Sequence, residues 1–205
     1  MISIETGAGG RVYQIWKQHQ ASSCGVASAW MARGIARQMS FAEEEWDLAQ
    51  RMYLGAVNST IGAASTIPDA PMTIDPRAYS NVPANQIQNS FTSNFALGGL
   101  TFTQLANALR SERLQVNVVH NNGAPTPVVA NNIAYNKPAI SFIKWPDRVQ
   151  PGDGGAHFVV VGRCTPSRVS FLDPWTGHIN EEPNDGRFRA SYNSGNILVN
   201  IYISA

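Results

Sequence analysis

Gln18-His19-Gln20-Ala21-Ser22-Ser23-Cys24-Gly25-Val26-Ala27-Ser28-Ala29-Trp30-Met31 is the stretch around which the chain is organised. Ser22, Ser23 and Gly25 mark a turn into a helix, and the small and apolar residues after them recur at helical spacing. Cys24 therefore falls in the first helical turn. Unpaired N–H groups and the positive dipole end stabilise negative charge on a sulfur placed there. Gln18, six residues upstream, can aim its amide at an oxygen that turns negative when the sulfur attacks a carbonyl. A single cysteine ahead of an apolar helix is, however, most often a small buried hydrophobe. A catalytic role for Cys24 requires a base and an orienting group elsewhere in the chain.

Two downstream segments supply them. Gly154-Gly155-Ala156-His157-Phe158-Val159-Val160-Val161-Gly162 puts a histidine at the head of a β-branched run. Val169-Ser170-Phe171-Leu172-Asp173-Pro174-Trp175-Thr176-Gly177 puts an aspartate at the end of the next one. A hairpin joining the two runs brings their polar ends together. Cys24, His157 and Asp173 then supply a nucleophile, a base and an orienting carboxylate for acyl transfer. Taken singly, each has an ordinary reading. Gln18 fits a turn, His157 a sheet, Asp173 an Asp-Pro turn and Trp175 a core anchor.

The 205 residues suffice for a single domain with a sizeable core. Charged residues are only 14% of the chain, so solubility rests on Asn, Gln, Ser and Thr. A net charge of +1 gives no electrostatic case for nucleic acid or an anionic membrane as partner. No apolar run approaches the ~20 residues of a membrane span. The N-terminus lacks the basic and apolar regions of a secretory signal. His19, His120, His157 and His178 show no ligand spacing and there is no Cys-x-x-Cys, so neither a metal nor another cofactor is expected. Cys24 and Cys164 are expected as free thiols, suited to a reducing cytosol.

Along the chain, residues 1–10 are Gly-rich and read as loose or weakly extended, and 11–16 as a short strand. Helix one spans about 24–38. Ser40 and Glu43 fit a capping box for a second helix to about residue 52, with Glu43-Glu44-Glu45 its solvated acidic start. Residues 55–99 carry almost no charge and no period and read as a long irregular insertion, with one short helix near 85–95 and a role as a wall of the cleft. Thr101 and Gln104 form another capping box, opening a helix to about 113. Strands are expected over 114–119, 139–145, 157–164, 168–172 and 197–203. Thr126-Pro127 reads as an N-cap and first helical residue for a short helix to about 135. The fold class is α+β: an N-terminal helical lobe packed on an antiparallel β-sheet, with the active site in the groove between them.

The order Gln18, Cys24, His157, Asp173 resembles the papain-like cysteine peptidases. By that resemblance Gln18 matches the oxyanion glutamine, Cys24 the nucleophile, His157 the base and Asp173 the orienting residue. Trp175 is similar to the tryptophan that shields the orienting residue in papain. Aspartate at position 173 resembles the bacterial branch. Its double-glycine leader peptidases and effector proteases share the pattern met by Cys24-Gly25-Val26-Ala27, His157-Phe158-Val159-Val160 and Asp173-Pro174-Trp175-Thr176-Gly177. The resemblance covers residues 1–40 and about 137–180. The span from Cys24 to His157 is longer than in compact bacterial members, the excess lying in 55–99.

The resemblance implies a papain-like thiol protease, a hydrolase that cleaves a protein or peptide substrate. An acyltransferase or deamidase toxin on the same triad, or a non-catalytic peptide-binding scaffold, are the alternatives. The residues before Cys24 read as too few for an inhibitory pro-segment, and an accompanying transporter domain is not expected. The expectation is a bacterial toxin domain, delivered as part of a larger secreted effector into the cytoplasm of a target cell. In its producer it is expected to be held inactive by an immunity protein.

Overall fold

A computed structural model describes residues 2–19, 23–41, 43, 47–49, 101–146, 155–190 and 194–205. The expected insertion over 55–99, with its short helix, lies outside the described residues. So does most of the second helix, of which residues 47–49 are helical. The Ser40 hydroxyl donates to Gln14 Oε1 at 2.8 Å.

The architecture is α+β, with helices packed on a seven-strand antiparallel sheet and a separate two-strand hairpin. Nine strands are described: β1 Ile2–Thr6, β2 Val12–Trp16, β3 Gln115–His120, β4 Ala139–Lys144, β5 Ala156–Cys164, β6 Arg168–Asp173, β7 His178–Pro183, β8 Arg187–Phe188 and β9 Gly195–Ser204. The large sheet runs β3-β9-β4-β5-β6-β7, with β8 paired to β9. β1 and β2 form the hairpin, so the first ten residues are more ordered than their glycines suggest. Gly9 and Gly10 take positive φ at its tip, which any side chain would resist.

Helix α1 spans Cys24–Arg37 and helix α2 spans Phe102–Ser111. α1 is buried along most of its length, and its alanines and glycines let it lie close to the sheet. It ends where Gln38 turns left-handed and the Met39 N–H reaches back to the Gly34 carbonyl. α2 starts with the expected capping box. Gln104 N–H donates to Thr101 Oγ1 at 3.2 Å, and Thr101 N–H to Gln104 Oε1 at 2.9 Å. Buried Arg33 ties the two helices by donating to Glu112 at 2.6 Å.

Strand alternation divides the core. Phe158, Val160 and Leu172 join Val26, Trp30, Met31, Leu105 and Leu109 on the helical side. Val159, Val161 and Phe171 join Ile143, Trp145, Phe188 and Ile197 on the other. β5 is bulged between Val161 and Arg163, leaving Gly162 out of register. A Cβ on Gly162 would sit 2.7 Å from the ring of Tyr13, so the bulge provides the slot that seats the β1–β2 hairpin on the sheet. Side chains complete that attachment. Ser3 Oγ donates to the Gly177 carbonyl at 2.7 Å, and Ile179 N–H donates to Glu5 at 2.8 Å.

The helix expected after Thr126-Pro127 is absent. The segment is extended, with one 3-10 turn over Ala130–Asn132. Thr126 N–H pairs with the Ile197 carbonyl, and its hydroxyl donates to the Ala124 carbonyl, not to a helix start. Asn184 then holds both the N–H and the carbonyl of Val128, at 2.9 and 2.8 Å. A side chain 56 positions away thus satisfies the backbone that a helix would have satisfied internally.

Candidate active site

Cys24 is the first residue of α1, with Ser23 at the N-cap position, and it is 8% exposed. The helix is fixed against the sheet by Ser28, one turn further on. Its buried hydroxyl donates to the Phe158 carbonyl at 3.2 Å. That bond locks the helix start to the residue next to His157.

The hairpin expected from the two apolar runs forms. β5 and β6 pair antiparallel, with Val160 opposite Leu172, so the head of one strand meets the end of the other. His157 Nε2 donates to Asp173 Oδ1 at 2.7 Å, with both side chains buried. Cys24 also lies within hydrogen-bonding contact of the imidazole. Since Nε2 is engaged by Asp173, Nδ1 is the nitrogen left for the sulfur. The structure therefore brings together the cysteine, histidine and aspartate singled out in the sequence.

The electrostatics of the trio are coupled. Burial works against charge on His157, but its hydrogen bonds to Asp173 and Cys24, and their negative charge, outweigh it. The imidazole pKa is raised to about 9. Asp173 is fully buried, and its oxygens are held by the turn after it. Trp175 N–H donates to Oδ1 at 2.9 Å, Thr176 Oγ1 donates to Oδ2 at 3.3 Å, and Gly177 N–H donates to the Asp173 carbonyl at 2.8 Å. Those bonds give the Asp-Pro-Trp-Thr-Gly sequence its physical sense. Proline starts the turn, threonine and the Trp175 amide orient the carboxylate, and Gly177 closes it at φ +78°.

Gln18 is joined to the same turn: its N–H donates to the Pro174 carbonyl at 2.8 Å. The residue expected to serve the oxyanion is thus anchored beside the Asp173 carboxylate. Trp175 contributes its amide to Asp173, while its side chain is 44% exposed. His157 has aromatic cover from Trp145 and Phe188 at ring-centroid distances of 6.0 and 6.3 Å. Sequence reasoning singles out neither residue, nor Ser28. Trp145 follows the last residue of β4 and Phe188 sits on a two-residue strand, and only the folded sheet brings them to His157.

Cys164 is a free thiol at the far end of β5, and burial pushes it up to about 11. Among the described residues no group of three or more His, Cys, Asp or Glu is placed to hold a metal ion. Among them, too, no helix is long and apolar enough to cross a membrane. The chain matches no protein-family model, and no curated protein proves similar to it.

Proposed function

We propose that the protein is a cysteine peptidase of the papain-like kind, working through Cys24, His157 and Asp173. The observation that carries this reading is the buried His157–Asp173 hydrogen bond at 2.7 Å with Cys24 against the same imidazole.

In this reaction the Cys24 sulfur forms a bond to the substrate carbonyl carbon, and its proton resides on His157. Gln18 and the Cys24 N–H hold the oxyanion. The C–N bond then breaks, His157 gives its proton to the departing amine, and a thioester remains. Water, deprotonated by His157, releases the acid and frees the thiol. Asp173 holds the imidazole in the tautomer that keeps Nδ1 toward the sulfur. The biological setting we propose is that of an effector domain acting inside a target cell, with an immunity protein covering the Cys24 groove in the producer.

Wild-type and Cys24→Ala protein expressed in a bacterial cytosol, with new protein N-termini mapped across the proteome, test the chemistry. New N-termini that need Cys24 support it; identical maps with soluble, folded wild-type protein refute it. Growth arrest that needs Cys24 supports the effector role, and healthy growth with active enzyme removes its antibacterial form.

A further inference from the structure

We propose that Trp145 is a positioning residue for His157, its buried indole forming the π face against which the protonated imidazole is held. The proposal rests on reading Cys24, His157 and Asp173 as nucleophile, base and orienter. The two rings are near-parallel, with an interplanar angle of 19° and centroids 6.0 Å apart. Trp145 is 6% exposed and His157 is 5% exposed, so water solvates neither ring appreciably. Asp173 and Cys24 are the titratable groups that act on the imidazole, and both meet it through its nitrogens. The ring faces are left to aromatic neighbours. From just after β4 comes Trp145, and from β8 comes Phe188, inclined at 53°. A parallel indole face favours positive charge on the imidazole from a direction that hydrogen bonds cannot use.

The surroundings seat the indole closely. A Cβ on Gly195 would fall 2.5 Å from Trp145 Cε3, so only glycine there admits it. Trp145 N–H donates to the Gly155 carbonyl at 3.2 Å, two residues before His157. Phe188 packs on Trp145 at 6.1 Å and edge-on to Phe171 at 5.3 Å. Buried Glu182 fixes the segment after Phe188 by accepting the N–H groups of Arg189 and Ala190.

The test tracks carboxymethylation of Cys24 by iodoacetate against pH in the intact chain, where the sulfur displaces iodide. The anionic reagent is drawn to a protonated His157, so the wild-type rate falls on the alkaline side as that proton leaves. Trp145→Leu keeps an apolar cover without a π face, and its alkaline limb is expected to move down by roughly 0.5–1 pH unit. Trp145→Phe restores most of the wild-type limb. Superimposable wild-type and Trp145→Leu profiles overturn the proposal, as does a Trp145→Phe shift as large as that of leucine. If Trp145→Leu does not fold, fluorotryptophan is incorporated into wild type and into Trp145→Phe. Fluorination weakens the π face, so a downward shift confined to wild type supports the proposal and equal behaviour overturns it. A wild-type profile with no alkaline limb overturns both this proposal and the nucleophile–base reading, which separates the two failures.

Discussion

The hydroxyl of Ser28 donates to the main-chain carbonyl of Phe158 at 3.2 Å, one helical turn beyond Cys24 and one residue beyond His157. It is a direct polar bond between the helix that carries Cys24 and the strand that carries His157. Ser28→Ala removes it with little change of volume. Stability should fall by about 1 kcal/mol, a loss of roughly 2–4 °C in melting temperature for a chain of this size. Turnover should fall by up to roughly 100-fold, since a small misplacement of reacting groups is costly. Scanning calorimetry beside kcat/KM checks this. A variant that loses stability but keeps full turnover would show that the bond serves packing alone.

Asp173 separates into two testable roles. Its Oδ1 accepts from both His157 Nε2 and the Trp175 amide, and its Oδ2 accepts from the Thr176 hydroxyl. Asp173→Asn can keep an oxygen at the Oδ1 position and turn its NH₂ toward Thr176, whose hydroxyl can accept. Asp173→Ala removes every partner and leaves a buried imidazole that cannot keep a charge, a loss on the order of 3–5 kcal/mol. The asparagine variant should therefore retain measurable turnover and a melting temperature well above that of the alanine variant. Equal and negligible effects on turnover would remove Asp173 from the site.

Cys24, His157 and Asp173 were legible in the sequence because each sits where local rules point. Cys24 comes after a turn and opens an apolar helix. His157 and Asp173 sit at the polar ends of two adjacent β-branched runs, and a hairpin is the simplest way to join those runs. What escaped depends on contacts distant in sequence. β7 reads His-Ile-Asn-Glu-Glu-Pro, a composition poor in strand formers, yet it pairs along β6 and buries the Glu182 carboxylate under backbone N–H donors. Thr126-Pro127 carries a genuine helix-start signal that lost to Asn184, which satisfies the Val128 backbone from another part of the chain. Ile2, Ile4 and their polar neighbours alternate as a strand should, but the nearby glycines, which make the hairpin tip, obscured the pattern. Trp145 and Phe188 carry no local mark of their place on His157.

Cys164 provides the internal control for the nucleophile. It lies seven residues along β5 from His157, roughly 23 Å at strand spacing. Its thiol accepts from Asn184 Nδ2 at 3.3 Å. Serine accepts the same bond, so Cys164→Ser should fold and keep turnover within a few-fold of wild type. Mass spectrometry after brief treatment with a thiol reagent near neutral pH should find Cys24 labelled well ahead of Cys164, whose proton is held up to about 11. A folded Cys164→Ser without activity would point to a different nucleophile.

The proton on His157 links stability to pH. Its folded-state pKa of about 9 lies above the ordinary value of 6.5, so the folded chain holds this proton more tightly than the unfolded chain. The resulting stability is fully present below about pH 6.5 and is lost as pH rises through about 9. Melting temperatures of wild type and His157→Gln, measured from pH 6 to 10, should converge as pH rises. Peptidase activity should fall over the same alkaline range as the imidazolium that protonates the leaving amine disappears. A constant difference in melting temperature across the range would mean that His157 binds no extra proton on folding.

Gln18 is joined to the site through its main chain, by the N–H bond to Pro174, and its proposed chemistry is in its side chain. Gln18→Ala keeps the first and deletes the second. The fold and the Asp173 turn should survive, with a melting temperature close to wild type. Loss of one oxyanion donor should reduce kcat by roughly 100- to 1000-fold. KM should change little, because the carboxamide meets full negative charge only after the sulfur attacks. Gln18→Glu sharpens the test, since a carboxylate offers no donor at neutral pH and repels the developing oxyanion; it should be no better than alanine. Steady-state kinetics on a cleavable peptide taken from the N-terminal mapping would check both variants. A change confined to KM would assign Gln18 to substrate binding and leave the oxyanion to other donors.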